Sequence, residues 1–300
     1  MKKSYSILYT ADLHGWYKLY ERLFQIGSKK NIDAIIIGGD ILPKNVPIER
    51  LLIEQRNFIQ KYLIPKLAEF KKQSKNNQKQ KPVYLMMGND DFACNMDLLE
   101  KAEEGGLLNL LHNKTHNLTK DINIRGYGYV NLTPFGIKDW EKFDSKKEPN
   151  EGANLKGVKS KRISGSSGSC VLTAVDFTKE NRKDTIERDL ERIAKDASDM
   201  QNTVYVIHAP PFGTDLDVTY SSFGYSTKHV GSKAIKQFIE RYQPLATLHG
   251  HIHESPDITH SYKQKIGKTI SIQPGQSEKL QGVIFNVYDI KNSMKAIWKI

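Results

Sequence analysis

The chain has 300 residues, 38% hydrophobic and 26% charged, and its 45 Lys plus Arg against 34 Asp plus Glu leave a formal net charge of +11. This composition suits a globular chain with a sizeable core and excludes collagen-like, coiled-coil and wholly disordered classes. No apolar run approaches the roughly 20 residues that span a bilayer, so no membrane partner is expected.

Two cysteines, Cys94 and Cys170, are too few for a disulfide framework or a cysteine-only zinc site, so a reducing, cytoplasmic home is expected. The basic excess gathers between Lys61 and Lys81 and between Lys156 and Arg162, in stretches that read as solvated faces rather than as a nucleic-acid surface.

Ser4–Thr10 reads as a buried strand; its apolar stretch is too short and polar for a signal peptide. An amphipathic helix is predicted over Trp16–Ile26. Asp33–Gly38 carries the continuous apolar run of a strand buried on both faces. A helical pattern covers Ile48–Phe70, interrupted at Pro65, and 71–81 reads as a mobile Lys/Gln/Asn loop. Val83–Met87 is a third buried strand, with shorter strands at Thr115–Leu118 and Ile122–Tyr127. Residues 146–169, rich in Lys, Gly and Ser, read as a second mobile loop inside one domain spanning 1–300. A charged helix follows over Asn181–Met200, then a strand at Val204–His208, a helix at Ser232–Tyr242 and a strand at Leu245–His249. The tail alternates in β fashion at Thr269–Ile272, Val283–Tyr288 and Ala296–Ile300. The fold class is α/β, with a largely parallel central sheet.

Metal-ligand side chains recur just past the predicted strands: Asp12 and His14 in ADLHG, Asp40 in GGD, Asn89 in GNDD, His208 in VIHAPP, and His251 and His253 in HGHIH. Loops at strand ends converge on one edge of an α/β sheet. The Asp-x-His spacing predicts two side chains on one side of an extended segment. Carboxylate, imidazole and amide oxygen together suit Mn, Fe or Zn better than Ca²⁺. These donors exceed what one tetrahedral ion takes, and two ions sharing a bridging carboxylate fit the number. Two ions about 3.5–4 Å apart clamp a phosphoryl group and activate water near neutral pH, which points to phosphoester hydrolysis.

The ordered motifs resemble the D-x-H, G-D, G-N-H-[ED], H, G-H-x-H pattern of the calcineurin-like metallophosphoesterase superfamily. The segments PFGIKDWE, HAPPFGTDLD, HGHIHES and PGQ are similar to a small prokaryotic branch of phosphoesterases. The resemblance implies a four-layer α/β/β/α sandwich with two divalent transition-metal ions at the sheet edges. It implies Asp12, His14 and His253 on the first ion, Asn89, His208 and His251 on the second, and Asp40 bridging. Asp40, Asn89, Asp90 and His251 form the implied catalytic set. Asp90 stands where the superfamily has a histidine acting on the leaving group. An aspartate with a pKa near 3.9 is ionised unless its surroundings raise that value, and so is a poor proton donor. Asp90 and Asp91 can instead stand behind the ligands and orient them.

His229, in the polar loop after HAPPFGTDLD, is the candidate substrate-binding residue. His249 reads as buried and structural, and His112, His116 and His260 as loop or surface residues. Trp16, Phe92, Phe212, Tyr220 and Phe223 flank the motif loops and either stack on a substrate ring or pack the core. The leading expectation is a metal-dependent phosphodiesterase on a small or nucleotide-like ester. The alternatives are a nuclease on the same site, with nucleic acid a less favoured partner, and a non-catalytic scaffold.

Overall fold

The computed structural model describes residues 3–76, 80–146, 155–162, 170–178, 182–197, 199–221, 224 and 226–299. The first half alternates strand and helix: β1 (Ser6–Thr10), α1 (Tyr17–Gly27), β2 (Ala34–Gly38), α2 (Ile48–Phe58), α3 (Ile64–Asn76), β3 (Val83–Met86), α4 (Met96–Glu104) and β4 (Asn109–Leu110). Then come β5 (Thr115–Asn117), β6 (Asn123–Tyr127), β7 (Val130–Asn131), β8 (Glu141–Lys142), β9 (Lys156–Arg162) and β10 (Cys170–Asp176). The chain continues through α5 (Ile186–Asp196), β11 (Thr203–Ile207), β12 (Val218–Tyr220), β13 (Thr227–His229), α6 (Lys233–Tyr242), β14 (Ala246–Leu248) and α7 (Ser255–Thr259). It ends with β15 (Lys263–Ile266), β16 (Thr269–Ile272), β17 (Val283–Asn286), α8 (Ile290–Ser293) and β18 (Lys295–Ala296).

Two six-stranded mixed sheets result. One has the order β18-β17-β1-β2-β3-β4 with β1 to β4 parallel; the other has the order β15-β16-β14-β11-β6-β5 with β6, β11, β14 and β16 parallel. Side chains on a strand alternate faces, and the burial follows that parity. Leu8, Ile35, Ile37 and Leu85 pack against α1 to α4, whereas Ile7, Tyr9, Ile36 and Met86 meet Val204, Val206, Leu248 and Ile272 of the other sheet. Tyr205 and Ile207, on the far face of β11, pack under α5 and α6 through Leu190, Ile193, Ile235 and Phe238. The layers are therefore helix, sheet, sheet, helix, as the ordered motifs implied. Strands buried on both faces explain the unbroken apolar runs of β2 and β11.

Several details differ from the sequence-based expectations. Pro65 does not interrupt the long helical stretch. Ile59–Leu63 forms a π turn in which the Ile64 amide bonds Ile59 O, so the chain reaches proline with its missing N–H already accommodated. The supposed loop at 71–81 is helical up to Asn76, and residues 77–79 lie outside the described residues. Within 146–169, the stretch Lys156–Arg162 is a strand, paired antiparallel with β10; residues 147–154 and 163–169 lie outside the described residues. At the C-terminus only Lys295–Ala296 is strand and Ile297–Lys299 is a tight helical turn, while Ile300, Phe223 and Asn181 fall outside the described residues.

The cysteines are not separate thiols. Cys94 and Cys170, 76 residues apart, form a disulfide with their Cα atoms 6.0 Å apart, because the β9–β10 ribbon packs on the turn after GNDD. Among the described residues, no helix is long and apolar enough to cross a membrane.

Candidate metal centre

The loops after β1, β2, β3, β11 and β14 meet at one edge of the two sheets. The first two run side by side beyond their strands: Asp12 N donates to Gly39 O (3.0 Å), His14 N to Asp40 O (2.9 Å) and Gly15 N to Ile41 O (3.2 Å). Asp12, His14, Asp40 and His251 all adopt left-handed backbone, with φ of 58°, 44°, 51° and 73°. The Asp-x-His segment is therefore not extended, contrary to the sequence expectation. Its side chains converge through paired αL residues, a costly conformation for non-glycine residues that tends to collect at functional sites. Gly88 permits the close approach, since a Cβ there would lie 2.4 Å from Asp40 Oδ1 and 2.6 Å from His208 Nε2.

The donor atoms form two adjoining groups. Asp12, His14 and His253 offer ligand atoms within 4.8 Å of one another, and so do Asp40, His208 and His251. His14 Nε2 and His253 Nε2 are 2.9 Å apart. Asp40 Oδ2 lies 3.3 Å from His208 Nε2 and 3.9 Å from His14 Nε2, between the groups. Asn89 is 2% exposed. Asn89 Oδ1 and His208 Nε2 are buried without a hydrogen-bond partner, as expected of donors meant for a metal. Supporting bonds fix their directions. His208 Nδ1 donates to Gly38 O (2.8 Å), leaving Nε2 turned inward, and the His251 amide donates to Asp12 Oδ1 (2.9 Å).

Burial works to raise the carboxyl pKa of Asp12, but hydrogen bonding and charge from His253, helped by His208, hold it at about 2. The same contest, against His208 and His14, leaves Asp40 well below the usual carboxylate range. Burial lowers His14 and His251 to about 3, while Asp40 and Asp12 overcome burial to raise His208 to about 9. Two buried carboxylates demand positive charge nearby. The donor set fits divalent transition metals.

Asp90 accompanies His14 and Asp40 in a third cluster of candidate donors. Burial and the charge of Asp40 push its carboxyl up to about 6, against the pull of Lys44. Asp91 is fully buried and does not touch the imidazoles. It accepts hydrogen bonds from the amides of Ile41, Leu42 and Gly88, and so ties two ligand loops together. His229 lies on β13 outside these clusters, its Nδ1 2.8 Å from the buried Asp217. The hairpin that carries it is anchored to the HGHIH loop, since Val218 N donates to Ser255 Oγ (3.1 Å). His249 is buried, with Nδ1 on Ile207 O and Ala209 O and Nε2 on Thr247 Oγ1. His112 is not a surface residue: its ring packs edge-on against Trp140 at 4.5 Å. Phe92 is in the core, whereas Trp16 and Tyr220 are exposed.

Sequence reasoning passed over Lys44, whose Nζ is 3.1 Å from Asp90 Oδ2, and Gln55, which bonds Pro43 O and Asp90 O. One lysine in a lysine-rich chain carries no local signal, and a helical glutamine carries none either.

No curated protein matches the sequence. Among solved structures, TT1561 of Thermus thermophilus is similar with a TM-score of 0.57 at 14% identity over 98% of each chain. A dimetal phosphatase from Danio rerio is similar with a TM-score of 0.52 at 10% identity, again over 98% of each chain. At such identities the likeness is one of fold. The sequence matches the calcineurin-like phosphoesterase model over residues 5–255, most of its length, and the chain belongs to that family.

Proposed function

We propose that this protein is a metal-dependent phosphodiesterase acting on a small or nucleotide-like ester, with two Mn, Fe or Zn ions in the cleft. The observation that carries the reading is the convergence of Asp12, His14, Asp40, His208, His251 and His253 in two adjoining donor groups, with buried donor atoms left unpaired. Asp12, His14 and His253 would hold one ion, Asn89, His208 and His251 the other, with Asp40 shared. Bound ions supply Lewis acidity toward the phosphoryl oxygens and lower the pKa of water.

The chain's own residues do the rest. Gly38 O keeps His208 in one tautomer, and Asp12 pins the His251 backbone. Asn89 and His251 face the phosphoryl oxygens, where negative charge grows in the transition state. The strained αL ligands are held by the parallel loop ladder, so the donors are organised before substrate arrives.

The test is Mn²⁺-reconstituted protein against phosphomonoesters, diesters and nucleotides. Diester turnover above monoester turnover, lost with chelator and restored by Mn²⁺, is expected. Failure of the metal-loaded protein on every ester would overturn the reading. One observation favours a nuclease instead: β9 exposes Lys159 and Lys161 on a ribbon that packs beside the turn following Asn89. Oligonucleotide cleavage that falls steeply with salt would support it.

A further inference from the structure

Lys44 follows Pro43 in the loop after β2. Its Nζ lies 3.1 Å from Asp90 Oδ2, and that same oxygen lies 3.8 Å from His14 Nδ1. The two side chains are 32% and 15% exposed, so the pair belongs to the cleft wall and not to the outer surface. Its charge acts on His14, Asp40, Asp90 and His253. One buried side chain sets both backbones: Gln55 Nε2 donates to Pro43 O (3.0 Å) and to Asp90 O (2.7 Å), while Gln55 Oε1 accepts from Phe92 N (2.9 Å). Asp90 is anchored a second time, its amide donating to Asp40 Oδ1 (2.8 Å). The backbones that carry Lys44 and Asp90 are therefore held next to each other.

An ester bound over the donor groups turns its non-bridging oxygens toward them. Its leaving oxygen gains negative charge as the P–O bond breaks and needs a donor outside the groups. An ionised Asp90 alone would oppose that charge. An ammonium has three donors, so it can keep one on Asp90 and turn another to substrate.

We propose that Lys44, positioned by Asp90, donates a hydrogen bond to the leaving-group oxygen and extends the enzyme to esters of poor leaving groups. The inference rests on the phosphoesterase reading above. In the step, water forms the new P–O bond, the old P–O bond breaks, and its electron pair stays on the leaving oxygen. Lys44 passes that oxygen a proton and regains one released from the water, so it ends the cycle as ammonium.

The experiment compares wild type, Lys44→Met and Lys44→Arg, all Mn²⁺-loaded, on phosphodiesters spanning a series of leaving-group pKa values. A charged hydrogen bond to the leaving oxygen sets the scale: kcat/KM on alkyl esters should fall about 10- to 100-fold in Lys44→Met, and on p-nitrophenyl esters by less than about threefold. Lys44→Arg should keep a shallow leaving-group dependence. A second readout is calorimetry with orthovanadate, whose five-coordinate adduct places an oxygen where the leaving group sits. Lys44→Met should bind it about tenfold more weakly, with metal content by elemental analysis unchanged. A loss equal for all leaving groups, an unchanged slope, or loss of metal from Lys44→Met overturns the proposal. If wild type hydrolyses esters while Lys44→Met parallels it, Lys44 alone has been misassigned. If wild type neither hydrolyses esters nor binds vanadate, the phosphoesterase reading falls too.

Discussion

Asp91 Oδ1 accepts the amide hydrogen of Leu42 at 2.8 Å, across 49 residues of sequence. Through this bond and its partners at Ile41 and Gly88, one buried carboxylate joins the loop carrying Asp40 to the loop carrying Asn89. Removing it strands three amides. Asp91→Ala should destabilise the fold by about 3–5 kcal/mol, because each buried unpaired donor costs about 1–3 kcal/mol and relaxation recovers part. Asp91→Asn, which keeps one acceptor oxygen, should cost about half as much. Urea unfolding measures both, and a change under about 1 kcal/mol in Asp91→Ala would refute the role.

Asp40 lies between the two donor groups, so on the proposed reading its loss should affect both ions. Elemental analysis of Mn²⁺-saturated wild type should approach two ions per chain in a single cleft. Asp40→Asn should weaken metal uptake at least tenfold and cut turnover more than any change at His229, with the circular dichroism spectrum retained. Saturation at one ion would count against the shared carboxylate.

His229 contacts Asp217 and not the donor groups. His229→Ala should leave the metal content at the wild-type level. Loss of the ring as a substrate contact should raise KM about tenfold while kcat changes less than about threefold, and an unchanged KM would refute that role. Steady-state kinetics beside metal analysis separate this from a ligand role, which would lower metal content and kcat together.

His112 offers a pH test away from the ligands. Burial, helped by the charge of Lys142, lowers its pKa to about 4 from an ordinary 6.5. Its Nδ1 faces the Gly128 amide as an acceptor at 3.2 Å, a bond that protonation would destroy. The unfolded chain binds this proton more readily between pH 6.5 and 4, so stability falls as pH drops through that window. The shift is worth at most about 3 kcal/mol. Relative to wild type, His112→Gln should be less stable at pH 7 and gain about 2 kcal/mol by pH 5. Every other titrating group is common to the two proteins, so the difference in urea midpoints isolates this ring. A pH-independent difference would show that His112 titrates normally.

The α/β class and the buried strands were legible in the sequence because strand burial is a local pattern. That pattern pointed to one largely parallel central sheet, and only the family resemblance implied the two mixed sheets that the structure shows. AIIIG and TVYVI have apolar side chains on both faces, and only strands sandwiched between layers tolerate that. The order of the candidate donors was legible for the same reason: each closes an apolar run, and strand ends in such sheets share an edge. Neither pattern could reveal the αL backbone at Asp12, His14 and Asp40, since those residues usually avoid it and are held there by the neighbouring loop. The Cys94–Cys170 bond, the β9–β10 ribbon, and the meeting of Lys44 with Asp90 were equally hidden. Each joins segments through a covalent bond, backbone pairing or charge that leaves no periodicity in either one. Alternation and composition by themselves determined which strands are buried and which of them end in candidate donor residues. Only the tertiary structure decided which loops touch, because that depends on how two sheets and their helices fill the space between them.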